Sequence, residues 1–252
     1  MVKIALDAGH GKHTAGKRTP DGEREWTFND KVLRACQTKL NEYQNVEILR
    51  LDDPSGETDV PLQARTDRAN KWKADVLVSI HHNAMRSDGT WGGHGGVETF
   101  VQEKTASKAS KDIAGRIHPR IVNAMGLRDR GVKTKNLHMT RESNMPAVLT
   151  EGGFMDSTTD IHALRSDTIL RRQGEAIAEA LAVYFKLVPK KEEVKVAAVE
   201  NQKPSASLEK EYARAIKAGI TDGSNPHRTM KREEGAVMAL RVLEKLMGKQ
   251  VE

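Results

Sequence analysis

Val2-Lys3-Ile4-Ala5-Leu6-Asp7-Ala8-Gly9-His10-Gly11 begins the chain with a short apolar run and then delivers a histidine. An apolar run of this length, closed by glycine, predicts a buried strand rather than a helix. The same grammar recurs at 46–51, 76–80, 96–101, 136–139 and 147–150, the other candidate strands. Helical patterns lie between and after them: 25–43, where Phe28, Val32, Cys36 and Leu40 repeat every four residues, then 61–73, 104–125 and 161–187. Pro61 suits a first helical turn, and Pro119 predicts a flaw in the third helix. Strands alternating with helices imply an α/β fold: a twisted, mostly parallel sheet flanked by helices.

Polar groups gather where these strands end. His10 follows the first strand, His81 ends Val76-Leu77-Val78-Ser79-Ile80, and Glu151 ends Ala147-Val148-Leu149-Thr150, while Glu25 opens the first helix. In open α/β sheets the carboxyl edge is where sites assemble. Two imidazoles and one carboxylate match the three-ligand set of a catalytic zinc, and a spare carboxylate can serve as base. Glu23 rivals Glu25 as the third ligand; the spacing to Asn29 favours Glu25. Asp7 is expected to orient His10, and Gly152-Gly153 to admit substrate closely.

These motifs, taken in order, resemble the zinc-dependent N-acetylmuramoyl-L-alanine amidases of the type 3 family, found in bacterial autolysins and phage endolysins. The matching stretches are Asp7-Ala-Gly-His10-Gly11, Glu25 with Asn29, Leu62-x-x-Arg65-x-x-x-Ala69-Asn70, and Ser79-Ile-His81-His82-Asn83-Ala84. Gly96-Val-Glu98-Thr99, Arg130-Gly131-Val132-Lys133 and Met145-Pro-Ala-Val-Leu-Thr-Glu151-Gly-Gly-Phe154 complete the set. The resemblance implies that His10, Glu25 and His81 bind Zn2+ and that Glu151 is the catalytic carboxylate. It also implies cleavage of the amide between N-acetylmuramic acid and L-alanine of the stem peptide in peptidoglycan. Substrate contacts are expected at Arg65, His82 and Asn83. Arg65 has two readings, a stem-peptide carboxylate or a salt bridge, and Lys133 shares them. Met155-Asp156-Ser157 replaces the family's usual asparagine segment.

Composition bounds the alternatives. The 252 residues carry 41 basic and 35 acidic side chains, a net +6 that suits polyanionic partners, wall polymers among them. Ten aromatics, with no basic run interleaved, argue against base-stacking platforms and a nucleic-acid partner. Cys36 is the single cysteine, so an intrachain disulfide is excluded. No apolar run is long enough to span a bilayer. The first residues lack a basic and then apolar leader, so the expectation is synthesis in the cytoplasm and action at the bacterial wall after release.

Residues 1–188 are expected to form the catalytic domain and 189–207, charged and bounded by prolines, a linker. Residues 208–252 read as a small helical module near the lower size limit for independent folding. Its stretch Ala218-Gly-Ile-Thr-Asp-Gly223, followed by Pro226 and Lys231-Arg232-Glu233-Glu234, resembles one surface-layer-homology motif. That implies binding to a secondary cell-wall polymer; dimerisation or packing is the other reading, and the oligomeric state stays open. A zinc peptidase cutting within the stem, and a wall-binding protein without catalysis, are the alternatives to the amidase.

Overall fold

The computed structural model describes residues 1–190; the expected linker from 191 onward and the module at 208–252 lie outside the described residues. Twelve elements follow one another in this unit. They are β1 (Val2–Ala8), α1 (Glu25–Leu40), β2 (Val46–Arg50), α2 (Leu62–Trp72), β3 (Val76–Asn83), β4 (Val97–Gln102), α3 (Lys108–Met125), β5 (Asp129–Lys135), α4 (His138–Arg141), β6 (Ala147–Phe154), α5 (Ile161–Leu164) and α6 (Asp167–Phe185). The strands form one six-stranded sheet in the order β2-β1-β3-β6-β4-β5. All neighbouring pairs are parallel except β4 with β6. The expected α/β fold with a mostly parallel sheet is therefore present.

Alternate residues of the central strands enter two cores, as the two-residue repeat of a strand requires. Ile4, Leu6, Val76, Val78 and Ile80 join the large core with α1, α3 and α6. Ala5, Leu77 and Ala147 join a smaller one with Ala69 of α2 and Met139 of α4. Burial on both faces explains why β1 and β3 read as nearly continuous apolar runs. On the smaller-core face, side chains beyond these apolar residues reach the carboxyl edge, and there the polar groups collect.

Three expected elements differ. The strand expected at 136–139 is β5 at Asp129–Lys135 instead, and His138–Arg141 forms the short helix α4. β5 is an edge strand with half-exposed, charged residues, so it carries no apolar run to announce it. The single helix expected at 161–187 breaks into α5 and α6, because Ser166 caps the second with its hydroxyl, accepting from Ile169 N. Pro119 sits inside α3 without ending it. Pro189 and Lys190, expected to open the linker, stay pinned: Gln44 Nε2 donates to Pro189 O at 3.0 Å and Lys190 N to Glu42 O at 2.7 Å.

Candidate active site

Four segments deliver the ionisable groups to one end of the sheet. His10 lies two residues past β1 with φ at 68°, a left-handed conformation unusual for a residue with a Cβ and costing on the order of 1–2 kcal/mol. Between them, Gly9 leaves room for the His81 ring, which a Cβ there would overlap. Glu25 is the first residue of α1, where the helix end favours a negative charge. His81, near the end of β3, is the register partner of Glu151 on β6, and Glu151 that of Glu98 on β4. The three therefore project from the same face of the sheet.

His10 Nε2 stands 3.3 Å from Glu25 Oε2, and His81 Nδ1 stands 3.0 Å from Glu25 Oε1. One ligand atom from each of the three lies within 4.8 Å of the others. The hydrogen bonds around His81 fix its tautomer. Ser79 Oγ donates to Asp7 Oδ2 at 2.6 Å, so at 3.2 Å it can only accept from His81 Nε2–H. The His81 Nδ1 lone pair then faces the Glu25 carboxylate, an acceptor against an acceptor. A cation must come between them, and a proton or a metal ion meets that need.

Charge states fit this picture. Burial outweighs the pull of Glu25 and lowers the His10 pKa to about 4, so its ring is neutral and free to ligate. His81 is also buried, which opposes protonation, yet the hydrogen bond and charge of Glu25 raise its pKa overall. Burial alone would push Glu25 up, but the His81 hydrogen bond and the two imidazoles bring it to about 2. Glu151 goes the other way: burial lifts it to about 8, against the pull of His81. Its Oε2 is buried and has no hydrogen-bond partner.

Glu25 is further held by Asn29 Nδ2 at 3.4 Å and by the His82 amide at 3.3 Å. Asn29 Nδ2 also donates to Gly9 O at 3.0 Å, which ties α1 to the histidine loop. The rival Glu23 points elsewhere and pairs with Arg165 at 2.7 Å.

Two expected substrate contacts lie inside the protein. His82 faces the large core, between Asn29 Oδ1 at 2.8 Å and Gln173 Oε1 at 3.3 Å, because consecutive strand residues face opposite sides. Arg65, 1 % exposed, has taken the salt-bridge reading, with Asp7 at 2.7 Å. Asn83 remains at the rim, where it donates to Glu98 Oε2 at 3.0 Å. Asp7 does not touch His10; it serves His81 through Ser79. Gly152 makes room for the protein's own Gln173, whose amide occupies the place of a Cβ, rather than for substrate.

A second network escaped the sequence reading. Glu98 Oε1 accepts from Arg130 Nε at 2.6 Å and Lys133 Nζ at 2.5 Å, which holds its pKa down although burial opposes this. A carboxylate inside the apolar run Val97-Glu98-Thr99-Phe100-Val101 was the available signal. Ser79 was legible too, since it shares the face of His81 two residues on.

Fold and site together define a hydrolase of α/β architecture whose working groups sit at the carboxyl edge of the sheet, around a cluster able to hold a metal ion. Residues 4–183 match the family described as N-acetylmuramoyl-L-alanine amidase, and the chain belongs to that family of peptidoglycan hydrolases. The N-acetylmuramoyl-L-alanine amidase CwlM of Bacillus licheniformis is 38% identical over 189 residues, covering 74% of this chain and 70% of that protein. The endolysin of Bacillus phage SPP1 is 33% identical over 216 residues, covering 83% of this chain and 75% of its own. Among solved structures, the catalytic domain of CwlV, the amidase of Bacillus (Paenibacillus) polymyxa, superposes with a TM-score of 0.66 at 31% identity, covering 75% of this chain and 100% of that one.

Proposed function

We propose that the protein hydrolyses the amide between N-acetylmuramic acid and the L-alanine of the stem peptide, with His10, Glu25 and His81 as ligands of Zn2+ and Glu151 as the catalytic carboxylate. The observation that carries this reading is Glu151 Oε2, buried and unpartnered beside a His/Glu/His cluster. The donor set suits zinc: two imidazole nitrogens and a carboxylate, with His81 Nδ1 facing Glu25. When bound, zinc supplies an acidified water and polarises the amide carbonyl.

The remaining chemistry falls to the chain itself. Glu151 Oε2 accepts the proton of the attacking water and later returns it to the nitrogen of the leaving L-alanine. A carboxyl group lifted toward neutral pH holds and releases that proton near the working pH more readily than an ordinary carboxylate. His10 and Glu25 stay unprotonated, so the cluster does not compete for it.

Digestion of purified peptidoglycan followed by mass spectrometry tests the bond cut. New L-alanine amino termini with intact glycan are expected. Fragments cut within the stem peptide favour the zinc peptidase, and no release at all favours the wall-binding reading.

A phage or prophage endolysin is the biological setting we favour. The match to the phage relative extends over more of the chain than residues 1–190 contain. Among the described residues no helix is long and apolar enough to cross a membrane. The resemblance in 208–252 supports wall-polymer binding by that segment, and sedimentation with isolated walls, with and without residues 191–252, tests it. Equal sedimentation would remove the anchoring role.

A further inference from the structure

We infer that Arg65, a buried residue of α2, sets the position of both imidazoles of the cluster; the inference rests on the metal reading above. Every guanidinium N–H is used. Nε donates to Val60 O at 2.8 Å, Nη1 to Asp7 Oδ1 at 2.7 Å and Ala8 O at 2.9 Å, and Nη2 to His10 O at 2.9 Å and Asp59 Oδ1 at 3.0 Å.

Two arms leave this one cation. The first grips the backbone on both sides of Gly9, at the carbonyls of Ala8 and His10. His10 holds a left-handed conformation there, which persists only where the surroundings over-determine it. Releasing its carbonyl lets the loop relax and swings the ring away from Glu25. The second arm runs through side chains: Arg65 to Asp7, Asp7 to the Ser79 hydroxyl, and Ser79 to His81 Nε2–H. That relay keeps the His81 Nδ1 lone pair turned toward Glu25.

A fork is what this geometry requires. A lysine supplies a point charge and cannot reach three carbonyls and two carboxylates at once. Arg65 is thus a positioning residue, acting on the site through Asp7, Ser79 and the His10 backbone.

Arg65→Lys and Ser79→Ala, separately and combined in the full chain, test this through zinc affinity, measured by competition with a chromophoric chelator. Cobalt absorption spectra and melting of the metal-free proteins accompany it. Arg65→Lys is expected to weaken zinc binding about 10- to 100-fold and Ser79→Ala by about tenfold, the range found for outer partners of metal ligands. Together they lose less than the product of the single losses, because both cut the same arm. Both alter the cobalt spectrum, whereas a purely structural arginine would lower the melting temperature and leave the spectrum alone.

Zinc affinity of Arg65→Lys within threefold of the parent overturns the inference, as do losses that multiply in full. Should Arg65→Lys not fold, Ser79→Ala decides alone: unchanged affinity and spectrum reject the relay. A parent protein that binds no zinc would defeat the metal reading instead. Nitrogen NMR of His81 in the metal-free protein then still judges the relay, because loss of Ser79 must shift the Nε2 resonance.

Discussion

The two sides of the site are built on opposite terms. On the β1/β3 side the polar groups around Glu25 are closely tied: His81 has Ser79 and Glu25, Glu25 has Asn29 and the His82 amide, and Arg65 uses all its donors. On the β6 side Glu151 keeps one buried oxygen with no partner at all. An unsatisfied buried oxygen costs about 1–3 kcal/mol, and this one belongs to an ionisable group. Ligands that must not move are over-determined, whereas the group that must exchange a proton is left free to do so.

Exchanging the free group should give the largest effect. Glu151→Gln keeps size and polarity but removes proton transfer, so kcat should fall by about 10²–10⁴. Zinc content should be unchanged, because the substituted amide would disturb none of the contacts of His10, Glu25 or His81. Turnover measured on purified peptidoglycan, with metal analysis of the same sample, checks both. Activity within a few fold of the parent would remove Glu151 from its role, and lost zinc would make it part of the cluster rather than its complement.

On both sides the residues at strand ends were legible in sequence, and the reason is physical. His10, His81 and Glu151 lie where apolar runs stop, and strand endings show in composition. Glu25 announced itself through Asn29 at a helical spacing. What stayed hidden depends on the third dimension. Whether Arg65 meets solvent or Asp7 depends on how α2 packs on β1, 58 residues away in sequence. His82 reads as a site residue only until the strand's alternation turns it toward Gln173 on α6. The Glu98–Arg130–Lys133 network hangs on β5, an exposed edge strand that lacks the apolar pattern by which strands are found.

Gly9 offers a way to break the rigid side without touching a ligand. A methyl group at this position would overlap the His81 ring at Cε1, Nε2 and Nδ1. Gly9→Ala should therefore displace His81 by on the order of 1 Å, and a misplacement of that size costs about 10²-fold in turnover. Chelator competition should also show a loss in zinc affinity, with no ligand side chain exchanged. Unchanged affinity would mean that the imidazole has more freedom than its hydrogen bonds suggest.

The smallest effect, and the finest separation of the two sides, lies in the pH dependence of stability. Between pH 6.5 and about 8 the unfolded chain has released the proton of Glu151 and is releasing that of His81, while the metal-free folded protein retains both in part. The folded state then binds more protons than the unfolded one, so its stability must fall as the pH rises through this window. Glu25, lowered to about 2, is ionised in both states there and contributes nothing, whereas His10, lowered to about 4, offsets a few tenths of a kcal/mol near pH 6.5, where the unfolded ring is still partly protonated. The loss should be on the order of 1–2 kcal/mol, a drop of a few degrees in Tm. Zinc reverses the sense: a bound cation favours ionised Glu151, replaces the His81 proton and binds more tightly as the pH rises. Thermal melts across the window, in chelator and in zinc, should therefore diverge. Parallel curves would mean that the free carboxylate and the cluster do not feel the same charge.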